Sequence, residues 1–81
     1  MRIKEKDLKK IFSQILKIKI NEISNNLSMN NNSKWDSMNH LKLIIALEGK
    51  LKVSFKEKDI PKIISFKLIK QNLIKSGYKI L

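Results

Sequence analysis

The chain has 81 residues, no cysteine, one histidine and a formal net charge of +11. This length supports one domain with a small core, and the composition excludes disulfides, thiolate metal sites and multi-histidine metal sites. No apolar run approaches the roughly 20 residues that span a membrane, and the charged N-terminus does not resemble a signal peptide, so we expect a cytoplasmic protein.

The positive charge has two interpretations. Basic proteins can bind nucleic acid or anionic membranes, but a lysine excess can also reflect compositional drift. Lysine, isoleucine and asparagine make up nearly half of the chain, whereas arginine, which matches phosphate geometry better than lysine, occurs once. The lysines are scattered from Lys4 to Lys79. This distribution favours drift over a selected anion-binding surface.

The first predicted helix covers residues 5–19. Apolar side chains recur at helical spacing along one face, at Leu8, Ile11, Phe12, Ile15 and Leu16. Residues 21–35 follow as a loop by composition, because they are rich in Asn and Ser. Loops of this length are often functional. We expect the apolar residues of the loop to attach it to the core: Ile23, Leu27, Met29 and, at its end, a buried Trp35.

The second predicted helix runs from Ser37 to about Leu51. Asp36 and Ser37 stand where a side-chain oxygen can cap the free N–H groups of the first turn. Apolar positions cover more than half of the circumference, so the helix is either central or presents an exposed apolar strip. Ile44 and Ile45 cannot both face the core, and one of them is predicted to be exposed.

Gly49 and His40 of this helix differ from its apolar pattern and lead to two further predictions. Gly49 weakens the last turn, since a glycine inside a helix costs about 1 kcal/mol relative to alanine. His40 lies one turn after Ser37 and could share a face with it. No residue is evident that would orient it as a base, so we expect it to contact solvent or a partner.

The C-terminal third predicts a short helix and a longer one. Residues 53–55 form an extended link, and residues 57–60 form one helical turn that ends before Pro61. Ser65 is predicted to cap the last helix and Gly77 to end it, with Phe66, Ile69, Leu73 and Ile74 facing inward. No repeat or strand pair is evident. The expected fold is all-α, a four-helix bundle with three main helices, one short helix and a long first loop, in a single domain over residues 1–81.

With these elements in order, the sequence resembles the acyl carrier protein family from about Leu8 to Ile74. The most specific part is Asp36-Ser37-Met38 followed by an apolar helix through Ala46-Leu47-Glu48. It is similar to the family's Asp-Ser-Leu signature, which leads into a helix that ends Ala-Leu-Glu. The Val53-Ser54-Phe55 link, the segment 56–60 and Ser65-Phe66 also occur where the family has comparable elements. The resemblance implies an acyl-carrier-like four-helix bundle.

The resemblance also implies a covalent cofactor. The Ser37 hydroxyl would be joined through a phosphodiester to 4′-phosphopantetheine, which a phosphopantetheinyl transferase takes from coenzyme A. The terminal thiol of this arm would carry an acyl or aminoacyl group as a thioester. Asp36 would cap the helix and help the transferase place its metal ion, and Met38 would lie beside the arm. Partners would contact Met38, Leu41, Lys42 and Ile45.

The resemblance therefore implies a non-catalytic, monomeric carrier that acyl-loading and acyl-transfer enzymes use as a substrate. The chain departs from the family in charge, because most carriers of fatty-acid synthesis are strongly acidic. Here Lys42, Lys50 and Lys52 lie on or beside the second helix. Since electrostatic steering depends on the sign of the charge, we expect dedicated partners. The run from Lys34 to Leu41 is similar to stand-alone carriers of specialised biosynthetic pathways, such as those that make surface polysaccharide or modified amino-acid derivatives.

Two other classes of protein remain as alternatives. A basic helical module that binds nucleic acid would need base-reading side chains on a basic helix, whereas the second helix begins with an acidic residue and is mostly apolar. An arm-less protein-interaction module stays open, because a serine that only caps a helix would look the same. An enzyme has the least support, since the sequence contains no evident triad, metal cluster or glycine-rich phosphate loop.

Overall fold

The computed structural model describes residues 1–81 as three α-helices, α1 (Glu5–Leu16), α2 (Ser37–Leu51) and α3 (Phe66–Lys75). A single 3-10 turn covers Ile20–Glu22, and two short strands, β1 (Arg2–Ile3) and β2 (Lys79–Ile80), pair in parallel. The molecule measures 30 × 27 × 20 Å. None of its helices has the length and hydropathy required to cross a membrane.

The helices enclose one cluster of 17 buried apolar residues, which includes Trp35. Phe12 of α1 is central, since its ring centroid lies 5.6 Å from that of Trp35 and 4.9 Å from that of Phe66, each in an edge-to-face arrangement. Such edge-to-face pairs stabilise a core beyond the area they bury. The inward faces predicted for α1 and α3 are confirmed with two exceptions: Ile15 is only partly buried, and Ile74 is 56% exposed.

The Asn-rich loop before α2 is ordered by its own polar side chains. Ser24 and Ser28 hydroxyls and the Asn32 side chain accept backbone N–H groups two residues further on, the local bonding that favours Ser and Asn in turns. Leu27 and Ile23 are buried as predicted. The N–H of Met29 donates to Ile64 O at 2.9 Å, which ties the loop to the chain before α3.

Three predicted features of the fold are wrong. α1 ends at Leu16 instead of residue 19, because Lys17 adopts a left-handed conformation with φ 56°. In place of the short fourth helix, residues 57–62 form hydrogen-bonded turns: the Ile60 N–H donates to Lys56 O at 3.3 Å, and Pro61, which has no N–H group, does not extend this turn into a helix. The third error is that no strands were predicted. β1 and β2 pair and join the two ends of the chain, so the fold is helical but not purely α.

The C-terminal tail packs back on the core. Gly77 takes a positive φ of 95° just after α3, as expected of a helix-ending glycine. The buried Tyr78 then donates its hydroxyl to Leu51 O, the last residue of α2, at 2.6 Å. The Lys70 ammonium donates a hydrogen bond to the Glu5 carboxylate at 2.6 Å. This hydrogen bond lowers the pKa of Glu5 and outweighs the opposite effect of burial. α2 is thus anchored at its C-terminal end, and α1 is anchored to α3.

Candidate functional site

The N-terminus of α2 presents an exposed serine. α2 begins at Ser37, and Asp36 is its N-cap, as the sequence predicted. The Asp36 carboxylate accepts the N–H of Asn39 at 2.8 Å, so the cap does not depend on the serine hydroxyl. The Asn39 amide in turn donates to Lys34 O at 2.7 Å. Ser37 is therefore held on a rigid first turn with its side chain open to solvent.

His40 differs from its predicted environment. Only 5% of the residue is exposed, and its ring bonds to groups on both sides. Trp35 Nε1 donates to His40 Nδ1 at 3.0 Å, and His40 Nε2 lies 2.8 Å from Ile60 O. Because an indole N–H can only donate, Nδ1 is the acceptor, and the neutral ring donates from Nε2 to Ile60 O. His40 is thus a structural residue that joins α2 to the segment before α3.

A cavity opens beside Ser37. Its volume is about 310 Å³, and it is lined by Met29, Ser37, His40, Leu41, Ile60, Pro61 and Ile64. The sequence interpretation did not place Ile60, Pro61 or Ile64 at this site. These residues lie more than 20 positions after Ser37, and the hydrogen bond from His40 to Ile60 O that brings their segment to α2 leaves no local pattern in the sequence.

The outward side of α2 is apolar near its start. Met38 is 67% exposed, Leu41 56% and Ile45 69%, whereas Ile44 is buried at 3%. The prediction that only one of the adjacent isoleucines faces the core is therefore confirmed. Lys42 is also exposed, and at 100° per residue it lies next to Met38 on the helix surface. The structure brings together Met38, Leu41, Lys42 and Ile45, the residues predicted to contact partners, on one face.

Each carboxylate near α2 accepts one backbone N–H group, and that of Asp36 is exposed to solvent. Asp36 caps the helix, and Glu48 Oε2 accepts the N–H of Phe55 at 2.9 Å. The ion pairs of the structure join Glu5 to Lys9 and Lys70, and Asp7 to Lys10. Lysines on or beside α2 have no carboxylate partner. The surface around Ser37 therefore combines exposed apolar side chains with the carboxylate of Asp36 and the ammonium of Lys42.

The compact helical fold, with an exposed serine that opens its longest helix, is consistent with a carrier domain. No family model matches the chain. The acyl carrier protein of Buchnera aphidicola subsp. Schizaphis graminum (strain Sg) is 37% identical over 59 residues, which cover 73% of this chain and 75% of that protein. The chain therefore belongs to the acyl carrier protein family. Members of this family are carriers and not catalysts, and they normally hold phosphopantetheine.

Proposed function

We propose that this protein carries an acyl or aminoacyl group as a thioester on 4′-phosphopantetheine joined to Ser37 Oγ. The observation that supports this most is the separation of roles at the start of α2. Asp36 accepts the capping hydrogen bond, which leaves the exposed Ser37 hydroxyl available to another enzyme. A serine needed only as a cap would occupy the position that Asp36 fills.

The residues at this junction fit a phosphodiester. Ser37 Oγ would bond to the phosphorus that bears the pantetheine arm in coenzyme A, while adenosine bisphosphate leaves and the serine proton passes to a base of the transferase. The N–H groups and dipole at the start of α2 favour the negative phosphodiester. Once bound, the arm supplies the thiol that forms the thioester. Asp36 holds the first turn so that the attachment point stays fixed.

The surroundings of Ser37 support the remaining assignments. Met38 and Leu41 flank the serine, Leu41 also lines the adjacent cavity, and with Lys42 and Ile45 they provide the surface that acyl-loading and acyl-transfer enzymes would contact. The positive charge favours dedicated partners, and the similarity of residues 34–41 to stand-alone carriers supports a specialised biosynthetic pathway. The carrier would act as a monomer of one domain over residues 1–81. The apolar outer side of α2 argues against nucleic acid as its partner, since phosphates bind cationic and polar groups.

Intact mass spectrometry tests the attachment. The folded protein is incubated with coenzyme A and a broad-specificity phosphopantetheinyl transferase, and in parallel with the transferase encoded in the same genome. Ser33→Ala is the matched control, because Ser33 is another exposed serine of the same region. We expect one phosphopantetheinyl group on the wild type and on Ser33→Ala, and none on Ser37→Ala.

The fold of each variant is checked by circular dichroism. The free energy of unfolding of Ser37→Ala should lie within about 1 kcal/mol of the wild-type value, because Asp36 still caps the helix. A folded wild-type protein that neither transferase modifies would overturn the proposal. Modification of Ser37→Ala would do the same, since the arm would then be attached elsewhere.

A further inference from the structure

The outward side of α3, here called the α3 surface, consists of Lys67, Leu68, Gln71, Ile74 and Lys75. All five residues are exposed, Leu68 by 39% and Ile74 by 56%. At 100° per residue the five positions fall within an arc of about 120°, with Ile74 at one margin, Leu68 at the other and both lysines between them. The surface is about 12 Å long from Lys67 to Lys75 at 1.5 Å per residue. It therefore presents cationic groups between two apolar side chains.

Positive charge predominates beside the α3 surface. Two shallow grooves of about 480 and 270 Å³ run along it, and Gln71 and Ile74 line both. The ionisable residues of these grooves are four lysines and two acidic residues, namely Lys62, Lys67, Lys70, Lys75, Glu5 and Asp59. The Glu5 carboxylate already binds Lys70 at 2.6 Å. The other three lysines therefore outnumber the one remaining carboxylate, that of Asp59.

The basic character extends to the joined ends of the chain. Residues 60–81 contain five lysines and no acidic residue, and all seven carboxylate side chains of the protein lie in residues 1–59. Lys79 of β2 is exposed and pairs in register with the exposed Arg2 of β1, and β2 contacts α3. Lysines that are scattered along the sequence thus form a continuous basic surface on this side of the molecule.

We propose that the α3 surface binds reversibly to the headgroup layer of an anionic phospholipid membrane, through its lysines and through the apolar side chains of Leu68 and Ile74. Each lysine near an anionic bilayer strengthens binding by about fivefold. Apolar side chains beside lysines can enter the boundary between the headgroups and the acyl chains. The inference goes beyond the proposed function and requires neither Ser37 nor its arm.

Other anionic partners fit the α3 surface less well. Nucleic acid would place phosphates against Leu68 and Ile74, although phosphates bind cationic and polar groups. The α3 surface also has no arginine, which is the side chain that matches phosphate geometry in two hydrogen bonds. An acidic protein would need carboxylates at fixed positions opposite the lysines. Anionic lipids diffuse within the bilayer and can gather under flexible lysine side chains at any spacing.

Co-sedimentation of the full chain with vesicles tests the inference. One set of vesicles contains phosphatidylcholine alone, and the other contains phosphatidylcholine with phosphatidylglycerol. The double variant Lys67→Gln/Lys75→Gln removes two charges from the α3 surface. Its control, Lys42→Gln/Lys50→Gln, removes two exposed lysines of α2 that have the same spacing along the helix. Both double variants lower the net charge equally, so a difference between them reports the position of the lysines.

An apolar pair of variants tests the contact with the lipid. Ile74→Gln changes the α3 surface, and Ile45→Gln is its control because Ile45 is 69% exposed on α2. We expect Ile74→Gln to weaken binding to the anionic vesicles by at least about threefold, since less apolar area enters the bilayer boundary. Ile45→Gln should stay within about twofold of the wild type. Circular dichroism verifies that every variant is folded.

The wild type should bind the anionic vesicles at low salt and release them at about 0.5 M salt, where charges are screened. It should not bind vesicles of phosphatidylcholine alone. The double variant of the α3 surface should bind about 25-fold more weakly, at fivefold for each lysine. The double variant of α2 should stay within about threefold of the wild type, because its lysines lie outside the contact.

Equal binding of the wild type to the two kinds of vesicle, or equal losses in the two double variants, would overturn the inference. Unchanged binding of Ile74→Gln would do the same. Binding to duplex DNA or to poly-glutamate that only the double variant of the α3 surface loses, without binding to anionic vesicles, would assign the surface to that partner and also overturn the inference. The mass of the modified protein tests the proposed function separately.

Discussion

The hydrogen-bonded series Trp35–His40–Ile60 makes a strong prediction about stability. Trp35 Nε1 donates to His40 Nδ1 at 3.0 Å, and His40 Nε2 donates to Ile60 O at 2.8 Å. His40→Leu removes both bonds while keeping an apolar side chain of moderate size. The Trp35 N–H would then stay buried without an acceptor, because its ring is 1% exposed and water has no access to it.

The expected loss follows from the two bonds. An unsatisfied N–H in the core costs about 1–3 kcal/mol, and the partly buried Ile60 carbonyl adds about 0.5–1.5 kcal/mol, so His40→Leu should lower the free energy of unfolding by about 2–4 kcal/mol. A domain of this length is stable by about 4–12 kcal/mol in total. The variant should therefore fold but melt well below the wild type.

A double-mutant cycle in urea, followed by far-ultraviolet circular dichroism, isolates the Trp35–His40 bond. Trp35→Phe removes the donor, so that His40→Leu in this background no longer leaves an N–H unpaired and should cost about 1–2 kcal/mol less. The cavity made by Trp35→Phe cancels in the cycle. Additive losses, within about 0.5 kcal/mol, would refute the reasoning, and unchanged urea m-values would verify that the unfolding transition is comparable.

Three further predictions concern stability. Gly49→Ala should raise the free energy of unfolding in urea by about 0.5–1 kcal/mol, because Gly49 lies inside α2 and an added Cβ meets nothing within 4 Å; a lower stability would contradict the regular last turn. Leu47→Ala should cost about 2–5 kcal/mol through the cavity it leaves, whereas Ile45→Ala on the exposed side should change stability by less than about 0.5 kcal/mol; equal losses would contradict the assigned core. The lowered pKa of Glu5 means that its hydrogen bond with Lys70 stabilises the fold above the usual carboxyl pKa of 4.5 and that this contribution is lost as the pH falls through the lowered value. The advantage of the wild type over Glu5→Gln in urea should therefore disappear at about pH 2, and an advantage that persists there would count against the pair.

The sequence predicts the elements that have local signals. Asp36 before an apolar-periodic run located the start of α2, and Ser65 located the start of α3, where its hydroxyl accepts the Leu68 N–H at 3.0 Å. Both are capping residues whose effect depends only on the next three positions. The buried faces of α1 and α3 follow from helical periodicity in the same way, apart from Ile15, which is only partly buried, and Ile74, which is exposed.

The features that the sequence did not predict depend on distant residues or on unfavoured conformations. α1 stops at a left-handed lysine, and glycine is the residue that normally marks such an end; Ser13 Oγ then bonds Ile18 O at 2.6 Å across the turn. The buried His40 ring is hydrogen-bonded to Trp35 and to the carbonyl of Ile60, which lies 20 residues further along the chain. The 3-10 helix at Ile20–Glu22 has a weak local signal, since the Glu22 carboxylate accepts the Lys19 N–H at 3.0 Å.

Site localisation on the protein purified from its own cells tests the central claim most directly. The chain is digested, and peptides that bear phosphopantetheine are sequenced by tandem mass spectrometry. The account predicts that every modified peptide contains Ser37 and that the group is assigned to Ser37 itself, with Ser33 in the adjacent loop unmodified. Phosphopantetheine on another residue, or its complete absence from protein that is active in its pathway, would contradict the account.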